Sequence, residues 1–287
     1  MKTNYKINLC SFASPDLKRS AIRVIDQAKR INLYNRIKVF SVDDLNTQEK
    51  NFLKKVLSQG KTRGYGYWFW KPLIIKKFLL SLKENEILNY IDVGSHINLN
   101  GYKRLNYYIN LVKKSKKGVL AFQFYNLKKQ KFIFPERLEY MYTKSDLLNY
   151  FGVLKNKKIT HTPQYESGCI FLKKNKFTLK LLDEWAEVYK KDFSLVDDSK
   201  SRIKNFKGFL ENRHDQSIFS LICKKNKVET LSAFEIDWAY LGKKRTWEHN
   251  KHCPILLKRD LKYNLIKRFL NRQRKTFKRL KKKISFE

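Results

Sequence analysis

The chain has 287 residues, 42% hydrophobic and 14% aromatic, enough for one substantial core. Its 63 Lys and Arg against 26 Asp and Glu leave a net charge of +37, which favours anionic partners: nucleic acid, acidic membrane or phosphorylated small molecules. No apolar run approaches the roughly 18 residues of a spanning helix, and Cys10, Cys169, Cys223 and Cys253 form no CxxC pair, which excludes a crossing helix and a zinc ribbon or redox motif. A lysine-rich compositional bias accounts for much of the lysine but not for the shortage of acids. Cys169 and Cys223 sit in apolar runs and read as buried free thiols, which suits a reducing cytosol. The apolar run in "MKTNYKINLCSFAS" is too short and interrupted for a signal peptide, so the expectation is a soluble protein or one lying on a membrane surface.

"YKINLCSFAS" (5–14) reads as a buried strand followed by a loop, and "PDLKRSAIRVIDQAKRI" (15–31) as a helix with Pro15 in its first turn. "RIKVFSV" (36–42) is a second strand, and "DDLNTQEKNFLKKVLSQG" (43–60) a helix stopped by Gly60. The aromatic stretch "RGYGYWFWKP" (63–72) follows, and Pro72 opens the helix 72–85. "EILNYIDVG" (86–94) is a strand ending at Asp92. A helix (102–115), a strand (118–124), a helix (136–151), a strand (165–174), a helix (175–192), a short buried helix (214–226) and a short strand (227–231) come next. The polar segment 194–212 reads as a surface loop. The alternation of strands and helices implies an α/β fold with a mostly parallel sheet covered by helices. Residues 1–255 are expected to form one domain and 256–287 a basic tail.

That tail carries 11 Lys or Arg and no acid between Lys262 and Lys283, with Ile266, Phe269, Leu270, Phe277, Leu280 and Ile284 on one helical face. Such a basic amphipathic helix suits an anionic membrane, with Lys267, Arg268, Phe269, Arg272, Phe277 and Lys278 as the contacting residues. The plainer reading is a solvated terminal helix packed on its own domain, and nucleic acid would also suit the charge.

No P-loop, HExxH or GxSxG occurs, and "GYG" at 64–66 follows no strand, so a dinucleotide fingerprint has little support. Three features carry chemistry instead. Asp92 stands at a strand end before Val93 and Gly94, where a carboxylate can meet a sugar hydroxyl or a metal. An Asx turn is the commoner role of an isolated Asp. "QYESGCIFLKKN" places Ser167 and Gly168 at the start of a buried strand, where glycine lets a ligand approach the backbone, or simply makes a turn. "ENRHDQSIFSLI" sets Arg213, His214, Asp215 and Gln216 at the mouth of a core helix, more polar groups than capping needs.

Together these pieces resemble bacterial glycosyltransferases of the GT-A fold, from the first strand to about Pro254. "GYGYWFWKP" and "YIDVG" look like a subgroup that builds cell-surface polysaccharide and lipooligosaccharide; "SGCIFLKKN" and "HDQSIFSLI" look like the Ser-Gly strand and Asp-Gln helix of glycosyltransferase families 8 and 32. The resemblance implies a Rossmann-like mixed sheet and a nucleotide-sugar donor. It implies that Phe12, Ala13 and Ser14 face base and ribose, and that Trp70, Lys71, Asp92, Gly94, Ser167 and Gly168 line the donor site. Asp92 takes the first place of a DxD motif, but Gly94 stands where the second acid belongs, which puts Mn²⁺ or Mg²⁺ binding in doubt. His252 or His249 would be the C-terminal metal ligand. Alternatively Lys71, Lys243, Lys244 or Arg245 would neutralise the diphosphate.

Asp215 and Gln216 would lie near the anomeric carbon or the acceptor hydroxyl: Asp215 as general base if the reaction inverts, the pair as support for a front-face or covalent route if it retains, and the family 8-like motif leans towards retaining. The acceptor would be a cell-surface glycan or glycolipid, and the enzyme would sit on the cytoplasmic face of the membrane. A nucleic-acid-binding protein and an inactive relative are the alternatives, though no RNA-binding motif occurs and nucleic acid is not the expected partner. In the aromatic stretch, Trp68 and Trp70 alternate with Tyr67 and Phe69, so one set is expected to pack under the sheet and the other to line the donor pocket.

Overall fold

A computed structural model describes residues 7–128 and 131–258 together with Gln273. The membrane-contact residues expected in the tail (Lys267, Arg268, Phe269, Arg272, Phe277 and Lys278) lie outside the described residues.

In chain order the elements are β1 (Ile7–Phe12), α1 (Lys18–Ile31), β2 (Tyr34–Phe40), α2 (Thr47–Ser58), α3 (Gly64–Tyr67), α4 (Trp70–Leu80), β3 (Ile87–Ile91), β4 (His96–Ile97) and α5 (Tyr102–Lys114). There follow β5 (Val119–Gln123), β6 (Phe132–Ile133), α6 (Glu139–Tyr142), α7 (Ser145–Tyr150), α8 (Lys157–Thr160), β7 (Tyr165–Lys173) and α9 (Lys176–Lys191). The chain continues through α10 (Asp215–Asn226), β8 (Glu229–Ser232), β9 (Ala239–Leu241), β10 (Lys244–Thr246) and β11 (Ile255–Leu256).

Six strands form one sheet in the order β2-β1-β3-β7-β5-β8. All run parallel except β7, which pairs antiparallel with β3 on one side and β5 on the other. This is the α/β arrangement expected from the sequence: a mostly parallel mixed sheet flanked by helices. Alternation along the strands sorts the core onto two faces. Leu88 and Tyr90 of β3 and Ile170 and Leu172 of β7 join the cluster under α4, α9 and α10. Ile87, Ile91, Cys169 and Phe171, one step away in each strand, join the cluster under α1 and α5. Reversal of β7 matters for the site, because its first residues come to lie beside the carboxyl ends of β3 and β5.

Several elements depart from the sequence reading. The helix expected from residue 43 begins at Thr47, because Ser41 and Asp44 close a separate 3-10 turn and Asn46 with Glu49 makes the true capping box. The helix expected over 136–151 is two short pieces. Extended Thr143 (φ −135°) separates them and donates its hydroxyl to the buried Glu139 carboxylate at 2.6 Å. The segment 194–212 is anchored rather than purely superficial: Leu195, Val196, Asp197 and Asn212 are buried. Two small sheets were not foreseen, β10-β9-β6 and β11-β4, whose strands are too short to show a period.

The aromatic stretch is neither an extended loop nor a helix opened at Pro72. Gly64, Tyr65, Gly66, Tyr67 and Trp68 all have positive φ, a left-handed run, and α4 starts at Trp70 with Pro72 inside its first turn. Gly64 is required because a Cβ there would run into the Trp68 ring, a clash that Tyr65, Tyr67 and Trp68 do not face although they share its positive φ. An extended alternation therefore does not arise. Tyr67, Phe69 and Trp70 are all buried, and Trp68 is half-buried.

Candidate active site

The left-handed run delivers Lys71 into the protein. Its ammonium is 1% exposed, 2.5 Å from Asp215 Oδ2 and 3.1 Å from Asp92 Oδ1. It also lies 3.4 Å from both the Ser167 carbonyl and the Ser167 hydroxyl oxygen, and over the Tyr90 ring. Thus three of the motifs singled out from sequence, together with Lys71, converge on one point. Burial pulls the Lys71 ammonium down, but Asp215 and then Asp92 outweigh it, and its pKa stands above the usual lysine value. Asp215 receives the Ser167 hydroxyl on the same Oδ2 at 2.9 Å. Burial lifts its carboxyl above the ordinary aspartate value against the pull of Lys71, with Asp92 adding to the lift.

Asp92 follows β3 directly and is the more open acid, its side chain 36% exposed. Its Oδ1 accepts from the Tyr90 hydroxyl at 2.8 Å as well as from Lys71. Its amide donates to Gly168 at 2.8 Å, which ties the end of β3 to the start of β7. The loop beyond, with half-buried Gly94, is held from behind: Arg23 donates to the carbonyls of Ser95 (2.7 Å) and Val93 (3.1 Å). A Cβ on Gly168 would stand 3.1 Å from Asp92 Oδ2 and 3.2 Å from Glu166 Oε1, so the glycine leaves a bare strip between two carboxylates. Sequence reasoning placed Glu166 in the strand 165–174 but singled out only Ser167 and Gly168. Its signal was an acid beside Ser167-Gly168 at the start of an otherwise apolar strand.

Asp215 is the first residue of α10 and its side chain caps nothing; His214 precedes it with φ 56° and ψ −118°. That conformation favours glycine, and a non-glycine there stores roughly 1–3 kcal/mol of strain. The ring explains why it holds. Nδ1 donates to the Val196 carbonyl at 2.5 Å, Trp68 stacks on the ring at 5.9 Å, and Tyr67 meets it edge-on at 4.8 Å. Burial, helped by Arg63, holds His214 down at about 4, so it is neutral at pH 7. Hence the aromatic stretch clamps the residue that aims Asp215 at Lys71. Gln216 joins a buried polar network, donating to Gln164 Oε1 at 2.7 Å; Gln164 in turn donates to Glu139 at 3.1 Å.

The remaining expected donor residues sit at the carboxyl end of β1 and beside it. Phe12 is buried and stacks on Trp70 at 4.0 Å, Ser14 is buried with its hydroxyl turned to Asp16, and Ala13 is half-buried. Phe12 and Trp70 thus spend their rings on each other, which leaves the backbone of this corner, rather than those rings, to face a ligand.

The metal candidates do not come together. His252 is exposed. His249 donates through Nε2 to the Asp237 carbonyl at 2.9 Å and packs on Phe132 and Phe234. Lys243, Lys244 and Arg245 are exposed, and the Arg245 guanidinium lies 4.0 Å over Trp238. Among the described residues, no three His, Cys, Asp or Glu side chains gather as metal ligands. With one Asp92 oxygen engaged by Tyr90 and Lys71, and no carboxylate at Gly94, the residues present do not fit a protein-held Mn²⁺ or Mg²⁺.

No family model and no curated protein matches the chain. Solved structures do. A glycosyltransferase involved in glycosylation of the major capsid of PBCV-1 has 13% identity over 88% of this chain and 91% of that one, with a TM-score of 0.46. Mouse xyloside xylosyltransferase 1 in its apo form has 9% identity over 81% and 87%, with a TM-score of 0.42. The galactosyltransferase LgtC, solved with donor and acceptor sugar analogs, has 9% identity over 87% and 86%, with a TM-score of 0.39.

Proposed function

We propose that the protein is a glycosyltransferase that moves a sugar from a nucleotide-sugar to an acceptor hydroxyl. The observation that carries this reading is the cluster of Asp92, Asp215, Ser167 and Gly168 around buried Lys71, at the carboxyl ends of a mostly parallel sheet where such folds bind ligands. Asp92 offers its open oxygen to donor hydroxyls. Lys71 fixes Asp92 and Asp215 through its two ion pairs, so the polar groups are oriented before the donor arrives. No step needs a metal held by the protein. The motif resemblance supports a cell-surface glycan or glycolipid as acceptor. Incubation with nucleotide-sugars should release free nucleotide and label an acceptor; absence of both with every common donor would contradict the reading.

We also propose that the basic tail holds the enzyme on the cytoplasmic face of an anionic membrane. Among the described residues, no helix is long and apolar enough to cross a membrane. Changing Lys267, Arg268, Arg272 and Lys278 to Glu should release the full-length protein from phosphatidylserine vesicles in a sedimentation assay while leaving nucleotide-sugar binding intact. Near each basic residue the attraction is worth about 1 kcal/mol, so four reversals should cut binding by well over 100-fold. Unchanged sedimentation would contradict the membrane role.

A further inference from the structure

Four carboxylates bear on this end of the sheet, Asp92, Asp215, Asp237 and Glu166, and three are committed. Asp215 is held by Lys71 and Ser167, and Asp92 by Lys71 and Tyr90. Asp237 is buried, paired with Arg137 at 3.1 Å and accepting the Trp238 amide at 2.8 Å. Glu166 is different. It has no ion pair among the described residues, and its Oε1 accepts the backbone amides of Ser167 (3.0 Å) and Gly168 (2.9 Å). Those two bonds aim the carboxylate without neutralising it. Oε2 accepts nothing from the described residues and is not among the sealed, unpartnered atoms. The residue is half-buried, opposite Phe122 near the carboxyl end of β5, and across the bare face of Gly168 from Asp92 Oδ2.

We propose that Glu166 is the general base of the transfer, and that the reaction therefore inverts the anomeric carbon. This rests on the glycosyltransferase reading. The acceptor O–H proton passes to Glu166 Oε2 while the acceptor oxygen bonds to the anomeric carbon. The bond from that carbon to the diphosphate oxygen breaks, and its electron pair leaves with the nucleotide. Asp215, locked to an ammonium and a hydroxyl, then serves as a positioning residue.

The electrostatics suit the role. Burial, followed by the charges of Asp237 and Asp92, raises the Glu166 carboxyl above the ordinary glutamate range, against the pull of Arg137 and the Gly168 amide. A base so raised is a better proton acceptor near neutral pH. Because the pKa is raised, activity should be present above it and lost as pH falls through it, at a higher pH than an ordinary glutamate would give.

The test compares full-length wild type, Glu166→Gln and Glu166→Asp. Glu166→Gln keeps an oxygen for the two amides, so nucleotide-sugar binding by thermal shift should stay within about twofold. Its transfer rate should fall by about 10²–10⁴, and the acidic limb of the pH–rate profile should vanish. Glu166→Asp should transfer slowly and keep the limb. The wild-type product, read by NMR, should have the inverted anomeric configuration. A Glu166→Gln enzyme within about threefold of wild type, a loss that keeps the acidic limb, or a retained configuration would overturn the proposal and leave the glycosyltransferase reading standing. A wild type that binds no nucleotide-sugar and transfers none would overturn both.

Discussion

Lys71→Met should abolish transfer and cost about 3–5 kcal/mol of stability, because removing one partner of a buried ion pair leaves uncompensated charge behind. Here two carboxylates lose their partner, and one of them, Asp215, has only 6% of its side chain exposed. For a chain of this size a loss of that order lowers the melting temperature by roughly 10 °C. The double change Lys71→Met with Asp215→Asn should recover part of the stability, since it removes the buried charge, and none of the activity. Lys71→Arg should fail as well, because a planar fork cannot occupy a site packed around a compact ammonium. Melting curves with a transfer assay separate these outcomes. A Lys71→Met protein that melts within about 2 °C of wild type would show that the cluster is not held together by this charge.

Asp92→Asn should act in the opposite proportion. Its oxygen can still accept from Tyr90 and Lys71, and the side chain is 36% exposed, so the fold should lose no more than about 1 kcal/mol. A charge-assisted hydrogen bond to a donor hydroxyl is worth about 1.5–3 kcal/mol, so donor affinity and transfer should fall roughly 10- to 150-fold. Unchanged transfer would reduce Asp92 to the turn that its carbonyl makes with the Ser95 amide at 2.8 Å.

Local pattern made much of this molecule legible in its sequence. The strand ending at Asp92, the buried helix led by Asp215 and the small Ser167-Gly168 pair are statements about neighbours in the chain, and periodicity reads neighbours well. What escaped were relations between distant residues. Lys71 and Asp215 lie 144 positions apart, so nothing near "WKP" announces the partner of that lysine. The left-handed run from Gly64 to Trp68 exists because Trp68 stacks on His214, itself held in a glycine-like conformation; propensity points the other way at Tyr65, Tyr67 and Trp68. Glu166 reads as one more residue of a strand until β7 is known to run antiparallel, which brings its first residues beside the ends of β3 and β5. The initial split of the aromatics into a core set and a pocket set fails for the same reason: alternation describes a strand, and this segment is a left-handed run leading into α4, clamped from the far side.

On the proposed reading, the Lys71-centred site transfers a sugar from a nucleotide donor. Full-length protein should be stabilised by one class among UDP-, GDP-, CMP- and dTDP-sugars, by about 2.7 kcal/mol at a hundred times the dissociation constant. The same donor should yield free nucleotide and a glycosylated acceptor, in chelator as in added Mn²⁺, and Asp92→Asn should lose both signals. A protein that ignores every nucleotide-sugar yet is stabilised by single-stranded RNA would contradict the account.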